Sequence, residues 1–175
     1  MEELSDFRTV RGYQLLSRRA GRLTSAMEDY LEMAYRQCRE NGYARVGKLS
    51  ELLHVKPSSA SKMIFKLSEQ GYLKADRYDV IVLTEKGARA GAYLLDRHEK
   101  VERFLKLLGS GDPLGETEQI EHSLSLSTVT DLSDLLEFFG QESELSEKFM
   151  AFKKGRNLER AVAEASVPES EPDKT

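Results

Sequence analysis

The sequence predicts an all-α, mainly helical protein that opens with a winged helix-turn-helix carrying a small two-stranded wing and continues into a second helical domain. Three observations lead there. Apolar residues recur at helical spacing through most of the 175 residues. A short helix is followed, across a turn, by a helix that Pro57 opens. Two short extended runs then flank a polar turn, the signature of a hairpin.

Each element has a local cause. Ser25 with Glu28 forms a capping-box pattern that opens a helix over 25–39, and Gly42 stops it. A second helix over 46–53 turns Val46, Leu49, Leu52 and Leu53 inward. Lys56 precedes a proline and so favours extended backbone, which ends that segment. The third helix, 57–70, repeats Ala60, Met63, Ile64 and Leu67 on its inner side, and Gly71 ends it. Extended runs at 72–74 and 80–83 enclose Asp76-Arg77-Tyr78-Asp79. A long helix over 84–108 follows, broken by Gly109-Ser110-Gly111-Asp112-Pro113. Helices near 115–124, 127–139 and 143–154 complete the chain, and 156–175 reads as a frayed polar tail.

The net charge of −4 and pI near 5.5 argue against a general nucleic-acid coat, but not against a binder whose basic groups are gathered on one face. One cysteine, Cys38, rules out an intrachain disulfide and a thiolate zinc cage. The start MEELSDF lacks the apolar stretch of a secretory signal, and no run reaches the ~20 apolar residues of a membrane span. A cytoplasmic protein without a membrane partner is expected. Residues 1–23 hold Arg8, Arg11, Arg18, Arg19 and Arg22 among apolar residues, as a basic arm or a short amphipathic helix would.

Two constellations carry chemistry. On the third helix Ser58, Ser59, Ser61, Lys62 and Lys66 point outward, small and cationic enough for a major groove, with Arg77 and Tyr78 at the wing tip. The plainer reading is a solvated face, with one of Ser58 and Ser59 serving as N-cap. The second constellation is acidic. Asp29 and Glu32 share one helix face, as do Glu118, Glu121 and His122 at i, i+3 and i+4. Clustered carboxylates repel, and a divalent cation relieves the repulsion. With His98 added, the donors are oxygen and imidazole, which suit manganese or ferrous iron. Taken singly, the Asp29–Glu32 pair is an ordinary solvated helix edge and His98 an ordinary histidine. The chain has neither H-E-x-x-H nor paired E-x-x-H motifs, which counts against a metalloenzyme.

The segments SAMEDYLEMAY, GYARVGKLSELLHVKPSSASKMIFKLSEQGYL, VLTEKG, DRHEKVERFLKLLG and EQIEHSLS occur in that order over 24–139. Together they resemble the diphtheria toxin repressor family of metal-dependent transcriptional regulators, and within it the manganese-responsive branch. The resemblance implies metal ligation by Asp29, Glu32, His98, Glu118, Glu121 and His122. The iron-sensing branch usually has cysteine at the position of Glu118 and methionine at that of Asp29. The resemblance further implies Mn(II) as corepressor, two ions per subunit, and a homodimer on a palindromic double-stranded operator of manganese uptake and homeostasis genes. It implies no enzyme activity. The division expected is 1–23 extension, 24–95 DNA-binding domain, 96–155 metal-binding and dimerisation domain, and 156–175 tail. Leu126, Leu132, Leu135, Leu136 and Phe139 are the candidate dimer face. The alternatives are a ferrous-iron repressor on the same scaffold, a metal-independent winged-helix regulator and a dinuclear-metal enzyme.

Overall fold

The computed structural model describes residues 23–76 and 79–165. The basic arm and the wing-tip residues Arg77 and Tyr78 lie outside them. Helix α1, Ser25–Asn41, is capped by Thr24, whose Oγ1 accepts from the Met27 backbone N–H at 3.3 Å. The cap is therefore one residue earlier than the expected Ser25. A cap must be extended, and Thr24 is, with φ −80° and ψ 157°, whereas Ser25 is already helical. Gly42 ends α1 at φ +82°, donating its N–H to the Cys38 carbonyl at 2.8 Å.

Strand β1, Ala44–Arg45, leads into α2, Val46–Leu52, and a turn through His54 at φ +51° reaches α3, Pro57–Glu69. Val46, Leu49 and Ser50 are the buried positions of α2, while Leu52 is 37% exposed, against expectation. The inner face runs i, i+3, i+4, i+7 from Val46, and Leu52 falls off it. Lys56 occupies the N-cap of α3 with Pro57 first in the helix, so neither Ser58 nor Ser59 caps it. Strands β2, Leu73–Ala75, and β3, Val80–Leu83, pair antiparallel with Leu73 opposite Leu83. Strand β1 pairs on the far side of β3, giving the order β1-β3-β2. The sheet has three strands where the sequence suggested two, because a two-residue strand is too short to carry a period.

Helix α4, Glu85–Leu107, is capped by Thr84, whose Oγ1 accepts from the Gly87 N–H at 3.0 Å and donates to the Gly71 carbonyl at 2.7 Å. Helix α5, Pro113–Ile120, starts on an Asp112 cap and tightens into a 3₁₀ turn, Glu121–Ser123. Leu31, Leu49, Ile64, Leu67, Leu73 and Ile81 form the centre of the core. The chain packs as two compact units that divide after Leu124, and α4 belongs wholly to the first. The second unit holds α6, Leu126–Gln141, and α7, Ser143–Ala165, which continues past the expected end at 154. On α6, Leu126, Leu135 and Phe138 are exposed, Leu132 and Phe139 are half-buried, and Leu136 is buried. No helix among the described residues is long and apolar enough to cross a membrane.

The close approach of α1 to α4 positions the acidic and histidine residues that these helices carry. Glu28 meets Arg97 near one end of the contact, and a Cβ added at Gly91 would stand 2.5 Å from Tyr35 Cβ, so the helices run antiparallel with almost no space between them at Gly91. Alanine in a helix interior ordinarily improves stability over glycine by about 1 kcal/mol. Here Gly91→Ala is expected to lower the thermal midpoint by several degrees, because overpacking costs about 1–3 kcal/mol and outweighs that gain. Thermal unfolding followed by circular dichroism checks it, and a raised midpoint would refute the close approach.

Candidate metal centre and nucleic-acid face

Helix α1 carries Glu28, Asp29 and Glu32, α4 carries Arg97 and His98, and the α5–3₁₀ segment carries Glu118, Glu121 and His122. All six expected ligands converge. His98 Nδ1 lies 3.4 Å from Glu121 Oε1 and 3.7 Å from Glu118 Oε1. His122 Nε2 lies 2.9 Å from Asp29 Oδ1 and 3.9 Å from Glu121 Oε1. Glu32, His98 and Glu121, all buried, each offer a donor atom, and those atoms lie within 4.8 Å of one another.

The three residues of the E-x-x-E-H stretch are less alike than a single helix would make them. Glu118 sits on α5 with its side chain 57% exposed, whereas Glu121, in the 3₁₀ turn, is 2% exposed. Glu121 is packed against Arg97 and His98 of α4, which cover it, whereas Glu118 reaches His98 at 3.7 Å from the open side. A cleft of about 360 Å³ opens beside the site, bordered by Asp29, Glu32, Glu118 and Glu121 and, from the end of α2 and the turn before α3, by Leu52, Leu53 and His54.

Three participants were not legible in the sequence. Arg97 Nη2 donates to Glu28 Oε2 at 2.9 Å, and the same oxygen lies 2.8 Å from His122 Nδ1. Arg36 donates to Glu32 Oε1 at 2.7 Å through Nη2. No short motif marks Glu28 or Arg97, because they are 69 residues apart; the i, i+4 spacing of Glu32 and Arg36 was the one available signal.

The electrostatics follow from this crowding. Hydrogen bonds to Asp29 and then Glu28 raise the His122 pKa to about 10, outweighing its burial. The hydrogen bond to Glu121 holds His98 above its ordinary value, burial opposing. Burial, followed by the charge of Glu121, pushes the Glu118 carboxyl up. Glu121 Oε2 is buried without a hydrogen-bond partner among the described residues, and its 3.7 Å separation from Arg97 Nε is an ion-pair distance too long for a hydrogen bond. An orphaned carboxylate oxygen amid four further carboxylates and two imidazoles fits a hard divalent cation. Cys38 is no part of this site. Its Sγ lies 3.7 Å from the Ile81 carbonyl oxygen in the core, and burial pushes the thiol up.

On α3, Ser58, Ser59, Ser61, Lys62 and Lys66 are exposed, opposite buried Ala60, Ile64 and Leu67. Ser61 Oγ donates to the Pro57 carbonyl at 3.0 Å. Phe65, on the same outer side, is 62% exposed. Arg77 and Tyr78, named with these from the sequence, are outside the described residues.

Two family patterns match the chain: "Iron dependent repressor, N-terminal DNA binding domain" over residues 22–80, and "Iron dependent repressor, metal binding and dimerisation domain" over 84–151. The HTH-type transcriptional regulator MntR of Bacillus pumilus (strain SAFR-032) is 40% identical over 133 residues, covering 75% of this chain and 92% of that protein. Among solved structures, the metal-dependent transcriptional regulator MtsR aligns with a TM-score of 0.59 at 29% identity, over 66% of this chain and 55% of that one. The manganese regulator SloR aligns with a TM-score of 0.57 at 26% identity, over 64% and 54%. The chain thus spans little more than half the length of those two structures, but nearly all of the Bacillus relative. The DNA-binding pattern takes in α1 with Asp29 and Glu32, the metal-binding pattern takes in His98, Glu118, Glu121 and His122, and this chain belongs to the iron-dependent repressor family of transcriptional regulators.

Proposed function

We propose that this protein is a manganese-responsive transcriptional repressor that acts as a cytoplasmic homodimer on a palindromic operator of manganese uptake and homeostasis genes, with Mn(II) as corepressor. One observation carries the reading: oxygen and imidazole donors from α1, α4 and the α5–3₁₀ segment meet around Glu121, and none of them is a thiolate. The likeness to MntR proteins and to the manganese regulator SloR supports the choice of metal.

Asp29, Glu32, His98, Glu118, Glu121 and His122 would hold the metal, two ions per subunit. Glu121 stands between the two histidines, 3.4 Å from His98 Nδ1 and 3.9 Å from His122 Nε2. When bound, a divalent cation supplies positive charge that relieves the carboxylates and bonds donors of all three segments together. The chain's own residues do the rest. Asp29 and Glu32 fix α1, and through it the helix-turn-helix, against the segment that holds His122. Arg36 and Arg97 orient Glu32 and Glu28. Metal shifts DNA affinity only as far as it prefers one arrangement of these segments over another. Ser58, Ser59, Ser61, Lys62 and Lys66, with Arg77 and Tyr78 of the wing, would contact DNA. The 24–95 segment serves as the DNA-binding domain, and the exposed apolar side of α6 offers a surface for the second copy.

Three outcomes test this. In fluorescence anisotropy, Mn(II) is expected to raise affinity for a specific duplex at least tenfold over metal-free protein; unchanged affinity would refute the function. Asp29→Ala is expected to keep the fold while losing more of the operator response than of the metal affinity, read by paired anisotropy and calorimetric titrations. Full DNA affinity in the metal-saturated variant would remove Asp29 from the link. Because the His122 pKa is raised to about 10 and metal takes neutral imidazole, binding through His122 releases a proton. Apparent Mn(II) affinity is therefore expected to rise from pH 6 to pH 8, with heats that vary with the buffer's ionisation enthalpy. Affinity independent of pH would exclude His122 as a ligand.

A further inference from the structure

Among the described residues, Phe65 is one of the most exposed large apolar side chains, at 62%, and it lies on the face proposed to meet DNA. Ser58, Ser61, Lys62 and Phe65 stand at i, i+3, i+4 and i+7 of α3, so they form one stripe. Ala60, Ile64 and Leu67 occupy the opposite side at 0%, 2% and 0% exposure, so no rotation of α3 could bury Phe65 without exposing the core. A lone exposed apolar residue ordinarily needs no explanation. This one is set among Lys62 and Lys66 and two hydroxyls, with no acidic side chain on α3 before Glu69. An apolar protein partner would have to bury those lysines at a cost; a duplex attracts them. In the major groove the apolar feature is the C5-methyl of thymine, and phenylalanine is among the side chains that contact it.

We infer that Phe65 is a specificity-determining residue that packs on a thymine methyl in the major groove. The inference rests on the DNA-binding reading of α3, and it adds direct base readout to positions that otherwise reach phosphates and polar base edges.

The probe is a duplex enriched from a random-sequence pool on the manganese-loaded full-length protein, in which each thymine is replaced in turn by deoxyuridine, which lacks only the methyl. The wild type is expected to lose about fourfold in affinity for each half-site substituted at one particular thymine, the value of one buried methyl. Phe65→Ala is expected to bind the thymine and deoxyuridine duplexes equally, and Phe65→Leu to keep a reduced preference. Both variants should retain the wild-type thermal midpoint and Mn(II) affinity, since Phe65 is outside the core and the metal centre. If no sequence is enriched by the wild type, the DNA-binding reading fails and this inference with it. If a sequence is enriched but no deoxyuridine effect depends on residue 65, or if Phe65→Ala alters the oligomeric state instead, the inference alone is overturned.

Discussion

A guanidinium cannot shed its proton, so burying one obliges the fold to bring it anions. The Arg97 side chain is 4% exposed, and its partners come from elsewhere in the chain: Glu28 on α1 at 2.9 Å and Glu121 in the 3₁₀ turn at 3.7 Å. That requirement draws α1 and the end of α5 onto α4. Gly91 permits the approach by leaving room for Tyr35. The donors that converge around Glu121 are carried on these same three segments, so their positions depend on the Arg97 pairing.

The pairing leaves the site short of positive charge. Among the described residues, Glu28, Asp29, Glu32, Glu118 and Glu121 face two permanent cations, Arg36 and Arg97. Raised histidine pKa values answer that deficit, with His122 held between Glu28 and Asp29. A divalent cation would meet the same deficit with more charge, so metal and protons would compete for one set of donors. The cleft beside these groups is bordered by Leu52, the last residue of α2, and by Leu53 and His54 of the turn that leads to α3. The carboxylate cluster and α3 are thereby neighbours across that turn.

Charge is also distributed against the average of the molecule. The whole chain is acidic, at −4, while the exposed side of α3 offers serines, lysines and one phenylalanine. A net-charge argument alone would discount nucleic acid; the local face, set by which residues of α3 the core takes up, restores it.

Whatever depends on neighbours within a turn or two was legible in the sequence. Gly42 and Gly71 end α1 and α3 at positive φ, Pro57 opens α3, and the i, i+3, i+4 spacings disclose Asp29 with Glu32 and Glu118 with Glu121 and His122. The resemblance supplied His98 as the sixth member, and the fold brings it within 3.4 Å of Glu121. Tertiary structure decided the rest. The cap moved to Thr24 while Glu28 was engaged by Arg97, β1 became a strand by pairing with β3, and Leu52 was left outside the core. It also made Glu121 and Glu118 unlike, one buried against Arg97 and His98 of α4 and one open. Local periodicity records which side of an element is apolar. The partner of a buried charge, and the cost of leaving it without one, are settled only when distant segments close around it.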